Sequence, residues 1–463
     1  MDTVVSLCKR RGFIFQSSEI YGGIGSLYDY GPVGVELKRN VKDQWWKSMV
    51  RDREDVVGID ASILMHPNVW VASGHVDSFT DPLAECHECH RRHRSDLLET
   101  DECPDCGGEL SDPRHFNLMF RTHIGPVEGD ENIVYLRPET AQAMFVDFDN
   151  VVNSSRVRIP FGIAQQGKSF RNEITPGNFT FRTREFEQME MEYFCEPGTD
   201  EEWHRYWIDF SMDWFSDLGI RRSKLRVREH EADELPHYSK GSADVEFLFP
   251  WGWGELETIS NRTDYDLKAH IEKSGKDLSY YDQPNNKRYV PFVVEPAMGA
   301  DRSALAFLID AYDEEEVNND KRVVLRFHPA IAPYQIAILP LSRNAKLTPK
   351  AREVYDLVRS RFSTQYDETQ SIGRRYRRQD EIGTPLCVTV DFETVESDDA
   401  VTIRHRDTME QVRVPIESLV NALQDKLDVI AADVNSKTEL TAISYHLIRR
   451  CTNDWLKTGV RGR

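Results

Sequence analysis

GIAQQGKSFRNEITPGNFTFRTREFEQMEMEY, residues 162–193, decides the fold, because its first eight letters match a phosphate-binding loop, Gly162-x-x-x-x-Gly167-Lys168-Ser169. Such a loop works only between a strand and a helix, whose N-terminal amides cradle the phosphate. Here Phe170 to Ile174 runs straight into Thr175-Pro176-Gly177-Asn178, a turn signal that leaves no room for a helix. Beyond the turn the residues alternate. Arg182, Arg184, Phe186, Gln188, Glu190 and Glu192 share one parity; Met189, Met191 and Tyr193 share the other. Period two, with one apolar and one polar set, is a strand with a buried face and a working face. The stretch therefore predicts a β-hairpin carrying arginines and excludes a P-loop. A second nucleotide signature also fails: His123-Ile-Gly-Pro126 ends in proline, and no Lys-Met-Ser-Lys-Ser follows it.

The chain has 463 residues, enough for two or three domains. Its 40% hydrophobic and 29% charged composition is ordinary for a globular enzyme. No run reaches the ~18 apolar residues of a membrane span, and the N-terminal residues carry no signal-peptide pattern. A cytoplasmic protein with no membrane partner is the expectation. The net charge of −20 argues against indiscriminate nucleic-acid binding, so any RNA surface must be a local basic patch.

Hairpin and helix patterns mix through residue 325. From Gln335 a strand (335–341), a helical run (351–362), a strand (385–392) and a second helical run (Ile416 to Leu427) alternate, which predicts a small α/β domain over 330–429. Asp313 to Asp320 reads as a polar loop at the boundary. Residues 430–463 read as a helical tail, with a possible capping box at Ser436 and Glu439 and an apolar stripe of Leu440, Ile443, Leu447, Cys451 and Trp455.

Four of the eight cysteines cluster as Cys86-x-x-Cys89 and Cys103-x-x-Cys106. Two such knuckles bring four thiolates around one Zn²⁺, and a closed four-cysteine site is structural rather than catalytic. His87, His90 and His93 stand beside the first knuckle as alternative ligands.

Phe170-Arg171-x-Glu173, the turn, and Arg182-x-x-x-Phe186 resemble motif 2 of the class II aminoacyl-tRNA synthetases. Tyr30-Gly31-Pro32-Val33-Gly34, leading into a helix through Trp45 and Trp46, is similar to motif 1. Gly299-Ala300-Asp301-Arg302, opening a helical run, is similar to motif 3. Tyr28 to Gly34, Leu136 to Gln142, Arg184 to Glu190 and Glu295 to Gly299 resemble in particular the dimeric glycyl-tRNA synthetases. The resemblance covers residues 1 to about 430. It implies an α+β fold: a class II catalytic core of mixed, mostly antiparallel sheet flanked by helices over 1–325, a zinc-knuckle insertion at about 84–112, and a C-terminal anticodon-binding α/β domain.

The resemblance also implies ligation of glycine to tRNA(Gly) with ATP and Mg²⁺, a homodimer, and a set of site residues. Arg171 and Arg302 are the implied catalytic groups, with Asn172, Glu173, Phe181, Arg182, Phe186, Glu255, Leu256, Gly299, Ala300 and Asp301 about the nucleotide. Arg94, Glu139, Phe186, Glu187, Gln188, Met189, Glu190, Glu295, Pro296, Ala297, Met298 and Gly299 are implied about the amino acid. Fixed guanidinium groups suit the extra charge that develops on the α-phosphate, and carboxylates suit an ammonium. The pattern departs twice, with Ala297 where serine is expected and Ala143 where glycine is expected. Other class II substrates (proline, threonine or histidine) and a non-catalytic RNA-binding role are the alternatives. Finally, Gly373-Arg374-Arg375-Tyr376-Arg377-Arg378 is the densest basic run. On a helix Arg374, Arg377 and Arg378 share a face, which predicts an RNA contact with Tyr376 available for stacking.

Overall fold

The computed structural model describes residues 1–434, apart from Glu99 and His237. The expected tail features from Ser436 onward lie outside these residues. Seven strands form the central sheet: β1 (Val56–Gly58), β2 (Phe161–Phe170), β3 (Glu185–Cys195), β4 (Leu225–Glu229), β5 (Gly241–Phe249), β6 (Gly252–Thr263) and β7 (Phe292–Gly299). Their order is β4-β5-β6-β7-β3-β2-β1. All neighbours are antiparallel except β1, which runs parallel to β2 at the edge. Gly162 to Ser169 lies wholly within β2. The hairpin pairs Phe170 with Glu185 and continues to Phe161 with Phe194.

The helices around this sheet include α1 (Asp2–Arg11), α2 (Pro32–Trp46), α3 (Ala141–Val146), α4 (Asp200–Asp217), α5 (Tyr265–Ser274) and α6 (Ala300–Ala311). Pro32 opens α2, where its fixed φ suits the first helical turn and its missing N–H costs nothing. The alternation of β3 divides its environment. Tyr193 packs edge-on against Trp207 of α4, with Met189 and Met191 in the same core. Glu190 and Glu192 are buried on the opposite side, toward α3 and α5.

The C-terminal unit has its own core. Strands β8 (Ile336–Pro340), β9 (Thr364–Tyr366), β10 (Leu386–Val390), β11 (Ala400–His405) and β12 (Gln411–Pro415) form a sheet in the order β9-β8-β10-β11-β12. Helices α7 (Leu347–Val358), α8 (Ile372–Ile382) and α9 (419–434) belong with it. Two readings need correction. Residues 313–320 are not a loop: Tyr312–Val317 and Asp320–Leu325 form a hairpin, in which Glu315 faces Arg322 and Glu316 faces Lys321. Opposite charges across a strand pair stabilise it despite its polar composition. In the basic run, Arg375 is fully buried and donates to the carbonyls of Pro340, Leu341 and Asp367. Tyr376 is tied to Thr389 at 2.6 Å, and Arg378 pairs with Asp367. Arg374 lies beside Arg11 along a shallow groove, and Arg377, partly exposed there, has its Nη1 buried 3.9 Å from Asp380.

Glu257 on β6 is fully buried, and neither of its oxygens has a hydrogen-bond partner among the described residues. Burial pushes its carboxyl up to about 8 from the ordinary 4.5. The folded state therefore holds this proton more tightly than the unfolded chain does. The stabilisation it gives is full below about pH 4.5 and is lost as pH rises toward 8. Glu257→Gln is expected to match the wild type near pH 5 and to exceed its stability at about pH 8, by a few kcal/mol at most. Thermal melts of both proteins across this range check it. A gap that does not change with pH would contradict it.

Candidate functional site

A cleft of about 300 Å³ opens over the middle of the central sheet, lined by β3, β6 and β7 and by the turn between β2 and β3. One end is cationic. Arg171 follows β2 and is held by its Nε, which donates to Pro138 O at 3.0 Å. Its guanidinium lies between the rings of Phe79 and Phe186, 5.4 Å from each. The paired Nη groups have no acceptor among the described residues, so they are free for a ligand. Arg302, in the first turn of α6, lies 4.5 Å over the Phe181 ring, donates from Nε to Phe181 O at 2.9 Å, and pairs with Glu255 at 2.8 Å. Arg182 and Glu173 complete this end.

The other end is anionic and buried. Arg262 of β6, fully enclosed, donates to both oxygens of Glu295 at 2.9 Å and to Asp266 at 2.7 and 2.9 Å. Its guanidinium carbon lies 4.0 Å over the centre of the Tyr238 ring. Gln142 links Asp266 to Glu139, donating to each at 3.0 Å, and His75 stands 3.3 Å from Glu139. Glu190 accepts from the Thr140 N–H at 3.0 Å, from the Thr140 hydroxyl, and from Gln188 at 2.6 Å. Burial acts to raise the Glu139 carboxyl, but His75 and Arg262 outweigh it and hold Glu139 well below the usual range. Glu295 stays raised, because burial outweighs Arg262. One guanidinium thus serves two carboxylates, and further carboxylates crowd the same space.

The comparisons agree with this geometry. Residues 122–312 match the model of the tRNA synthetase class II core domain (G, H, P, S and T), and residues 335–426 match that of the anticodon binding domain. Among curated proteins, the glycine–tRNA ligase of Cutibacterium acnes is 56% identical, with 92% of this chain and 96% of that protein aligned. That of Thermobifida fusca is 54% identical over 92% and 98%, and that of Bifidobacterium longum 53% identical over 100% and 98%. The chain belongs to the glycine–tRNA ligase family.

For this member of the glycine–tRNA ligase family, the cleft gathers Arg171, Glu173, Phe181, Arg182, Phe186, Glu187, Gln188, Glu190, Glu139, Glu255, Glu295, Ala297, Met298, Gly299, Asp301 and Arg302 from the residues singled out in the sequence. It leaves out others. Met189, Leu256 and Ala300 are buried in the core on the far side of their elements. Pro296, between Glu295 and Ala297, takes the opposite parity of β7. Asn172 turns its N–H to Leu118 O at 2.7 Å. Arg94 is engaged by Asp81 at 3.2 Å and Asp96 at 2.6 Å and does not line the cleft. Arg262, His75, Tyr238, His230 and Asp266 were not foreseen. Arg262 is 33 positions from Glu295, and the β6–β7 register, which sets Ser260 against Glu295, is what joins them.

The two knuckles do converge. All four Sγ atoms lie within 4.8 Å of one another, with Cys86 to Cys106 at 3.5 Å and Cys89 to Cys103 at 3.6 Å. Four sulfurs at ~2.3 Å from one zinc sit about 3.8 Å apart, so the set fits. His93 Nε2 lies 3.5 Å from Cys103 Sγ, beside the four thiols. A Cβ at Gly108 would stand 3.1 Å from Cys86 Sγ, so a small residue is favoured there. The knuckles are joined to a three-stranded sheet of Thr80–Glu85, Arg92–Arg94 and Arg114–Asn117, and Phe79, just before it, packs on Arg171. We expect one Zn²⁺ per chain by elemental analysis of chelator-free protein, and its loss in Cys86→Ser together with a lower melting temperature. Stoichiometric absence of metal from the wild type would contradict the assignment.

Proposed function

We propose that the protein activates glycine with ATP, forming glycyl-adenylate and pyrophosphate, and then transfers the glycyl group to the 3′ end of tRNA(Gly). The observation that carries this reading is the polarity of the cleft. Guanidinium groups, Arg171 with its terminal nitrogens unengaged among them, lie at one end, and a buried carboxylate cluster around Arg262 lies at the other.

In the first step the substrate carboxylate attacks the α-phosphorus and pyrophosphate leaves, so no protein nucleophile is needed. Arg171 is assigned to the α-phosphate and stabilises the charge that builds there. Arg302 and Arg182 hold the outer phosphates. Arg302 is already oriented by Phe181 O and Glu255. Phe181 offers a face and Glu173 a polar edge for adenine. Mg²⁺ arriving with ATP would neutralise phosphate charge, and Glu255, 44% exposed at the cleft, is the carboxylate placed to meet it. At the other end Glu139, Glu190 and Glu295 receive the ammonium, while Ala297 of β7 bounds the space beyond the α-carbon. Ala297 offers no hydroxyl, so the grip on glycine rests on the carboxylates. Larger side chains are refused by contact with these walls. No editing site is required, since no amino acid is smaller than glycine.

The C-terminal unit is the proposed reader of the tRNA anticodon, and the zinc knuckles brace the nucleotide end. We further propose a cytoplasmic homodimer formed along α2 and the open edge at β1, where Gly58 is exposed. Among the described residues no helix is long and apolar enough to cross a membrane.

Since Arg375 and Arg378 are committed internally, the RNA contact of α8 is assigned to Arg374 and Arg377. The double variant Arg374→Ala, Arg377→Ala is expected to keep glycine-dependent pyrophosphate exchange within about twofold. Charging of tRNA(Gly) should weaken through the tRNA Michaelis constant, with a flatter salt dependence because about two fewer phosphates are neutralised. Parallel exchange and charging assays check it. Unchanged charging would remove the assignment, and failure of the wild type to charge tRNA with glycine would remove the function.

A further inference from the structure

Residues 73–79 line no part of the cleft, yet they touch side chains at both of its ends. Gly74, with φ at +81°, turns the chain into the single helical turn His75–Ser78. Asn117 holds that turn, donating to the carbonyls of His75 at 3.1 Å and Val76 at 3.0 Å. Phe79, just beyond the turn, packs on Arg171 at the cationic end. His75, at its start, is largely buried and faces the anionic end. Its ring sits between Trp70, edge-on at 5.5 Å, and Phe79 at 5.2 Å. Both ring nitrogens are engaged: Ser73 Oγ lies 2.8 Å from Nδ1, and Nε2 stands 3.3 Å from Glu139 Oε2.

Glu139 does line the cleft, and it is gripped at both oxygens. Oε1 accepts from Gln142 at 3.0 Å, while Oε2 faces His75. Gln142 is itself fixed, because its nitrogen donates to Glu139 and Asp266 and its oxygen lies 2.8 Å from His270 Nε2. Burial acts to raise the Glu139 carboxyl, and His75 is the largest opposing influence, ahead of Arg262 and Gln142. Arg262 donates to Asp266 and Glu295 instead. An ionised carboxylate only accepts, so Nε2 of His75 carries the proton between them. Such a carboxylate has about four acceptor positions, and about two stay open for a ligand. Pro138, the residue before Glu139, takes the Nε of Arg171, which ties the two ends of the cleft together.

We propose that His75 is a positioning residue for glycine: clamped by Ser73, Trp70 and Phe79, it donates through Nε2 to Glu139 and fixes that carboxylate in the orientation that receives the substrate ammonium. The inference rests on the reading that the cleft takes glycine. His75 touches no substrate and acts through Glu139 alone. A carboxylate free to rotate loses side-chain freedom each time it grips an ammonium, whereas one already held at both oxygens does not. Removing the His75 contact therefore weakens glycine binding selectively. ATP meets Arg171 on Phe79, at the other end of the same segment, and is spared as long as the segment keeps its shape.

Pyrophosphate exchange by the full-length protein, with glycine and ATP varied separately, tests this on two amides. In His75→Gln the amide nitrogen reaches the place of Nε2 and still donates to Glu139. In His75→Asn the shorter side chain keeps Ser73 and stops short of Glu139. The glycine KM is expected to rise about tenfold or more in His75→Asn, as for one lost hydrogen bond to a charged group, with the ATP KM within about twofold of the wild type. His75→Gln should recover most of that loss. If His75→Asn does not fold, His75→Ala takes its place in the comparison. An unchanged glycine KM in the folded variant would overturn the proposal, and so would equal glycine KM values for the variant and His75→Gln. Glycine and ATP KM values that rise together would also overturn it, by showing that His75 only supports the segment. Absence of glycine-dependent exchange in the wild type would instead overturn the functional reading on which the proposal stands.

Discussion

The ammonium of Lys38 is the point on which the site depends. It projects from α2 and meets Glu187 of β3 at 2.6 Å and Asp301 of α6 at 2.8 Å, almost shielded from water. Asp301 also accepts the Glu187 N–H at 2.8 Å, and Lys42 adds a second contact to Glu187 at 2.5 Å. Burial opposes both partners' charges, yet the pairing wins: Lys38 is raised above its ordinary value and Glu187 is held down at about 2. A buried charge that loses its partner costs several kcal/mol, so these three elements hold one arrangement. The three sequence signatures read separately along the chain meet at this one group. Through it the first turn of α6 is fixed so that Arg302 lies on Phe181, and β3 is fixed so that Gln188 and Glu190 face the cleft.

Around that anchor the cleft separates two electrostatic tasks. Arg171 is oriented by a carbonyl and two rings, which leaves its terminal nitrogens for a ligand. Fixed cations of this kind stabilise developing negative charge without reorganising. At the far end Arg262 organises the carboxylates instead of binding substrate phosphate. It keeps Asp266 and Glu295 in place beside Glu139 and Glu190. The same side-chain type thus does opposite work, and the difference lies in what surrounds it. Glu257, on the sheet but outside this cluster, is a buried acid with no such task.

Much of this was legible in the sequence because it is local. The Thr-Pro-Gly-Asn turn and the alternation after it fix a hairpin, and two Cys-x-x-Cys pairs at short separation converge wherever the chain between them closes. What escaped reading depends on register and on partners distant in sequence. Arg262 looks like the polar end of a strand until β7 brings Glu295 beside it. Residues 313–320 look like a loop because their acids are read alone, whereas across the hairpin Lys321 and Arg322 face Glu316 and Glu315. Arg375 looks like a surface charge until the end of β8 and the turn after it supply the carbonyls that bury it. Met189 and Leu256, taken as site residues, follow the apolar parity of their strands into the core.

The central claim is that this charge pattern selects glycine. Pyrophosphate exchange measured with each amino acid in turn, at equal concentration and with ATP and Mg²⁺, tests it most directly. The account predicts exchange with glycine and, for alanine and serine, rates lower by about a hundredfold or more, because added side-chain atoms meet the wall at Ala297 and the carboxylates around it. Faster exchange with any other amino acid than with glycine would contradict it.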